Sequence, residues 1–585
     1  LKNLALLTAF AWCVVSHAQV NAVWRQSVVD TRDSHTVDAV ATPDGGVAVA
    51  GTVDTVDGSN WIVVKYSSAG SLQWTREIPN PNGGLVSMSG FGGDSAGNLY
   101  IGGHWYGGSA NDFDLAWAKL NSNGAITSTQ TYDFGLTTDL GIAFVVRPDG
   151  TSVIAGNSWT NGLSVGRVRR LSATGTVLGS LNVDEGNANS DQLTALHIQA
   201  SGRVYALGFS RRPANRAVPL LGILEPNQTS SIQFAVHPGI PNNLPRTLTV
   251  DSFGDVLIGG DLGLLPQFRA YFSRLPAPSY QAPELPLLST PASSTLQSLL
   301  VAPDDAVYGA GVREQTNGTN AAFITRLGLG PTPLWTFDYG DSLRDESIAS
   351  LIRDTNGSLY LAGSIDKPGG GSNFWLMKTT SAGVMAYDYR WTTTSSRGQG
   401  TATRVIPLGN KQIYVAGTVP NASGGPRISV AKLSENSEIR FVFSTPGFSP
   451  DWSLLPLTVE VTNQADGSVL FLQTLVADAN GNFTLQGVPD ATYRIRVTSP
   501  LMTKRQVLNF LVVGGSPIAN ISLPYGDSDS DGVVSILDYI MLSNAFDTQV
   551  GDAAFDPLTD FDRDGVISIL DYVVLSSNYE SQDDY

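Results

Sequence analysis

Eight glycines, each closing a short β-prone run, recur along this chain: Gly51, Gly103, Gly156, Gly208, Gly260, Gly311, Gly363 and Gly417. Successive members are 51 to 54 residues apart. Few folds accommodate so regular a step. Around each glycine the order of segments is the same: a turn, a β run ending in Gly, a variable loop, a second β run, a turn and a third strand. In the first copy these are Asp44-Gly45-Gly46, Val47 to Gly51, Trp61 to Tyr66, Gly70, and Leu72 to Ile78. A unit this small cannot bury both faces of its sheet alone, so its neighbours must cover them. A period of about fifty residues with three or four strands per unit is the arithmetic of a β-propeller. Eight copies predict eight blades over residues 19–438, with seven as the alternative. The glycine itself implies a close approach of backbone at the strand end.

The ring also carries a closure signal. Trp24 to Val28 (WRQSV) matches the strand Trp74 to Ile78 (WTREI) yet precedes the first full repeat. It is expected to complete the last blade. The second β run often ends near a cation, as at Lys65, Lys119, Arg170, Arg326, Lys378 and Lys432. Copies four and five are looser, with Pro-rich loops such as Pro276 to Pro291. The pattern resembles bacterial secreted propeller repeats of the delta-60 kind.

The C-terminal sixty residues carry one loop twice, DSDSDGVVSILDYIML from Asp527 and DFDRDGVISILDYVVL from Asp560. Both place Asp at loop positions one, three, five and twelve and Gly at six: Asp527, Asp529, Asp531, Gly532 and Asp538, then Asp560, Asp562, Asp564, Gly565 and Asp571. Four carboxylates in one tight loop repel unless a cation sits among them, and Ca²⁺ accepts six to eight oxygens from such a loop. Position seven needs only a backbone carbonyl, which Val533 and Val566 supply. Ser535 and Ser568 at position nine can ligate directly or through water. Two Ca²⁺ ions are therefore expected. Each loop runs into an apolar pattern at helical spacing, Ile536, Leu537, Ile540, Met541 and Ile569, Leu570, Val573, Val574. Pro524 and Pro557 argue against a helix before either loop, so each unit is a loop plus one helix, EF-hand-like but lacking the incoming helix.

This tandem resembles a type I dockerin domain, the calcium-dependent module that plugs secreted proteins into cohesin domains. The resemblance covers residues 525–585. It implies a cohesin-like or cell-surface scaffold as partner. It also implies contact through loop positions ten and eleven, here Ile536-Leu537 and Ile569-Leu570, where the best-known dockerins often carry small hydroxyl residues.

Between repeats and tail, residues 439–524 show strand-like alternation at Leu457–Thr462, Val469–Val476, Asn482–Leu485, Tyr493–Val497 and Leu508–Val513. Asp478-Ala479-Asn480-Gly481 is a hairpin signal. Gly481-Asn482-Phe483 through Gly487-Val488-Pro489 to Tyr493 resembles the signature of carboxypeptidase-regulatory-like and prealbumin-like β-sandwiches, with Ala491 and Val488 departing from it. The resemblance implies a spacer, with a carbohydrate-binding-like fold as the alternative.

Composition narrows the function. The net charge is −17. Residues 524–585 hold fourteen acidic residues against the single Arg563, so the rest of the chain is nearly balanced. No basic stripe suggests nucleic acid. Lys2, the apolar stretch Leu4 to Val15 and Ser16-His17-Ala18 read as a secretory signal over residues 1–18. The one cysteine, Cys13, lies within it, which removes disulfides and thiol chemistry from the mature chain. No later segment is apolar and long enough to cross a membrane.

No catalytic set stands out. His35, His104, His197 and His237 lack metal spacing, and there is no nucleophile elbow. Asp112 with Asp114, or Asp341 with Asp345 and Glu346, could pair for glycoside chemistry. Solvated loop carboxylates are the simpler account. Trp105, Tyr106 and Trp159 could stack on sugar rings, or pack between blades. The expected function is a secreted modular binding protein anchored through calcium, with the propeller as recognition face and polysaccharide as a possible ligand. The alternatives are a glycosidic-bond hydrolase of a polysaccharide-degrading assembly, and a calcium-stabilised surface protein without a cohesin partner.

Overall fold

The computed structural model describes residues 20–585 except 29, 109–111, 135–137, 187–189, 213–215, 228–230, 236–242, 265–266, 281–292, 329–332, 341–343, 368–369, 392–397, 410, 436, 490 and 513–516. The expected signal segment with Cys13 lies outside the described residues, as do His237, Asp341 and most of the Pro276–Pro291 loop. The chain forms two compact units. One comprises residues 22–409 and 413–433; the other is centred on residues 434–585.

In the first unit, consecutive antiparallel sheets follow the repeat. They span residues 34–78, 86–132, 138–183, 190–235, 243–275, 294–339 and 346–391. An eighth joins three strands of residues 401–435 to the N-terminal strand Val20–Ser27. The fifth sheet shows three strands among the described residues, the others four. Burial explains the sequence pattern. Val47, Ala48, Val49 and Ala50 are all fully buried, because both faces of the strand are covered by neighbouring sheets. Alternation therefore gives way to continuous apolar runs. The outer strand Leu72–Ile78 is mostly exposed and carries the polar residues.

The recurring glycine lies mid-strand rather than at the strand end. Gly51 sits within Val47–Thr55, opposite a β-bulge between Thr36 and Asp38. A Cβ on Gly51 would meet the His35 carbonyl at 1.8 Å. The same clash with a first-strand carbonyl recurs at Gly103 (2.0 Å), Gly208 (2.2 Å), Gly260 (2.1 Å), Gly311 (1.9 Å), Gly363 (1.8 Å) and Gly417 (2.1 Å). The bulge bends the partner strand into the space a side chain would need.

The last sheet packs against the first, with Thr401–Gly409 beside Ser34–Ala41. Thr36 N–H donates to Thr418 Oγ1 at 3.0 Å, Ile428 N–H to Ser34 Oγ at 3.1 Å and the Tyr414 hydroxyl to the Gly45 carbonyl at 2.8 Å. Trp24 plays the role of Trp74 one sheet earlier. Its indole donates to the Ser68 carbonyl at 3.1 Å, as that of Trp74 donates to Ser122 at 3.3 Å.

The second unit begins with two sheets. Ser437–Ser444 runs between Asn482–Val488 and Ile518–Ser522, pairing parallel with the latter. The other sheet orders Val469–Leu475, Leu457–Asn463, Ala491–Thr498 and Arg505–Val512. Phe441, Phe443, Trp452, Val459, Tyr493 and Val497 fill the space between. That core continues into the C-terminal module through Tyr525, Val534, Leu542, Phe561, Val574 and Leu575. Helices α1 (Ile536–Ala545) and α2 (Ile569–Ser577) follow the two acidic loops.

Candidate metal centre and docking face

The two loops fold alike. Position twelve organises each one. Asp538 is fully buried; its Oδ1 accepts the Ser528 N–H at 2.6 Å and its Oδ2 the Ser535 N–H at 2.7 Å. Asp571 does the same with Phe561 (2.6 Å) and Ser568 (2.8 Å). Ser535 and Ser568 are the helix N-caps, accepting the N–H of Leu537 and Leu570 at 3.1 Å each. Each helix thus starts in a capping box that belongs equally to its loop. Gly532 (φ 90°) and Gly565 (φ 84°) make the sharp turn, where a side chain would be strained. Val533 and Val566 follow at position seven, their N–H groups donating to Asp531 (2.9 Å) and Asp564 (2.8 Å).

The carboxylates converge. One oxygen from each of Asp527, Asp529 and Asp538 lies within 4.8 Å of the others, and the same holds for Asp560, Asp562 and Asp564. Asp527 Oδ1 and Asp560 Oδ1 are buried without a hydrogen-bond partner. An orphaned buried oxygen in a ring of carboxylates is costly unless a cation takes it up. Burial, and then the neighbouring Asp538, Asp531 and Asp529, push the Asp527 carboxyl up to about 6. Burial likewise raises Asp560 and Asp562. Hard oxygen donors at this spacing fit Ca²⁺. Asp527, Asp529, Asp531 and Asp538, with the Val533 carbonyl, would hold an ion in the first loop. Asp560, Asp562, Asp564 and Asp571, with the Val566 carbonyl, would do so in the second.

The first helical turns point outward. Ile536, Leu537, Ile569 and Leu570 are 54, 51, 60 and 55 % exposed, and Ile540 and Val573 continue the face. Sequence reasoning missed Tyr539 and Tyr572, whose rings meet at 5.9 Å. They stand three residues after Ile536 and Ile569, a helical spacing that the loop pattern overshadowed. With Phe546 and Leu542 they line a cleft of about 380 Å³ between the helices.

The other candidates are scattered. His104 is held by burial well below its ordinary pKa, at about 4, and its Nδ1 accepts the Gly141 N–H at 3.0 Å. Burial also lowers His197. Trp105 is buried against Trp61, ring centroids 4.9 Å apart. Tyr106 packs on Phe113 at 5.8 Å. Asp345 accepts the Asn320 N–H at 2.6 Å, and Glu346 is buried. Asp114 gathers with Asp133 and Asp139 within 4.8 Å. Burial, then Asp112 and these neighbours, raise it to about 6.

Residues 525–578 match the dockerin type I domain family. The C-terminal module is a dockerin domain. Type I dockerins bind calcium, in keeping with the donor set of its loops. No curated protein matches the chain. Among solved structures, a type II cohesin–X–dockerin complex from Acetivibrio cellulolyticus is 23 % identical, covering 26 % of this chain and 100 % of that one, with a TM-score of 0.22. Sqt1 of Chaetomium thermophilum is 14 % identical over 72 % of this chain and 100 % of its own, with a TM-score of 0.44. The β-propeller domain of the Trilobed protease from Pyrococcus furiosus is 13 % identical over 59 % of this chain and 93 % of its own, at 0.35. No helix among the described residues is long and apolar enough to cross a membrane.

Proposed function

We propose that this chain is a secreted binding protein whose dockerin, loaded with two Ca²⁺ ions, plugs into a cohesin-like domain on a scaffold or cell surface. One observation carries the reading. Four large apolar side chains, Ile536, Leu537, Ile569 and Leu570, stand more than half exposed at the start of helices whose N-termini the acidic loops hold in place. Apolar side chains of this size held in water are costly unless a partner covers them. Calcium would order the loops and thereby present the face. The proposal gives the repeat unit an eight-bladed propeller architecture, supported by eight sheets in chain order with the last packed on the first. Its role would be recognition, with polysaccharide as the ligand class, rather than catalysis.

The test is capture of the full chain on immobilised cohesin domains. Binding is expected with calcium and not with chelator. Leu537→Asp combined with Leu570→Asp should weaken capture at least a hundredfold, since a charge would be buried unpaired, and calcium uptake should be unchanged. Capture insensitive to both chelator and these substitutions would refute the reading.

A further inference from the structure

Each calcium loop is backed by a short extended segment from the opposite half of the dockerin. Behind the second loop, Asp547 N–H donates to the Ile567 carbonyl and Val550 N–H to the Gly565 carbonyl, both at 2.9 Å. Behind the first, Glu580 N–H donates to Val534 and Asp583 N–H to Gly532, both at 2.8 Å. Val550 and Asp583 therefore occupy matching positions, each against the turn glycine of a loop. There the likeness ends. Val550 is 68 % exposed. Asp583 instead reaches the sandwich: its carboxylate accepts the Lys504 N–H at 2.6 Å and pairs with the Lys504 ammonium at 2.8 Å.

The next residues repeat the grip. Asp584 N–H donates to the Lys504 carbonyl at 3.0 Å. Its carboxylate pairs with Arg505 at 2.8 Å and accepts the Gln506 N–H at 3.0 Å. The Arg496 guanidinium lies 4.4 Å from the centre of the Tyr585 ring. Residues 580–585 thus have two working edges, one on the first loop and one on the start of the strand Arg505–Val512.

We propose that this C-terminal segment couples calcium in the first loop, and not in the second, to the order of the sandwich edge at residues 503–506. The proposal rests on the calcium reading above. Coupling of this kind is reciprocal: whatever steadies the segment at the sandwich tightens calcium in the first loop by the same factor. Lys504 gives the idea its sign. Coulomb's law alone says that removing a cation near a calcium site tightens the site. Coupling says that removing the grip loosens it.

Two measurements on the full chain decide between them. In hydrogen exchange, chelation should speed exchange at Lys504, Gln506, Asp583 and Asp584 together with the first loop. In calorimetric calcium titration, Lys504→Ala should weaken one of two sites about tenfold and leave the other alone, with thermal unfolding confirming that the variant folds. Unchanged exchange at residues 503–506 on chelation, or a first site that is unaltered or tighter in the variant, overturns the coupling while leaving the calcium reading intact. A wild-type chain that takes up no calcium removes both.

Discussion

At the scale of single residues, the repeat glycines and the loop aspartates are the chain's firmest statements, and they were legible to different depths. The aspartates could be read outright, because ligand chemistry fixes both residue type and spacing. The glycines could be read as a period, but their reason required coordinates. A bulge leaves no mark of its own in sequence, since Val37, Ser89 and Ile142 at the bulged positions share no residue type. The consequence is testable. Gly363→Ala places a Cβ 1.8 Å from the Ser347 carbonyl, so backbone must move. It should destabilise the repeat unit by about 3 kcal/mol in denaturant unfolding, without altering calcium uptake by the dockerin.

At the scale of elements, a helix and its calcium loop are one object. Asp571 closes the capping box of α2 while standing at position twelve of the loop. Asp571→Ala should therefore abolish calcium binding in the second loop and unwind α2, leaving α1 folded. Circular dichroism at saturating calcium would show roughly half of the calcium-induced helical signal, a loop-plus-helix share consistent with cooperative metal-linked folding. The sandwich strands were harder to read than the helices. Ser437–Ser444 follows Pro426–Glu435 with no Gly or Pro between, so no turn signal marks its start. Ile518–Ser522 hides because its apolar residues do not alternate: Ile518 is exposed, while Ala519 and Ile521 face inward. The acidic C-terminal segment hid for another reason: its composition is that of a solvated tail, and only the register of Asp583 and Asp584 on Lys504 and Arg505 reveals its grip.

At the scale of the whole molecule, the repeat unit joins its first sheet to its last. Trp24 lies 5.6 Å from Tyr414 and 6.2 Å from Tyr66, ring to ring, and covers Gly70. Trp74 makes the corresponding contact to Gly124 between sheets that follow each other in sequence. Trp24→Ala should lower the thermal midpoint of the repeat unit more than Trp74→Ala does. The first severs a contact that closes the longest loop in the domain, whereas the second loosens one already held by a short connection. Equal losses would mean that closure contributes nothing beyond local packing.

The parallel pairing of Ser437–Ser444 with Ile518–Ser522 bears on mechanics. The repeat unit joins the beginning of the first of these strands, and the dockerin follows the end of the second. In the proposed function, a pull between a ligand on the repeat unit and the anchored dockerin would drag the two strands lengthwise past each other. Five residue pairs, from Arg440–Ile518 to Ser444–Ser522, resist together as a shear joint rather than opening one by one like a zipper. Under the proposed function, the two-sheet domain would carry load between ligand and anchor.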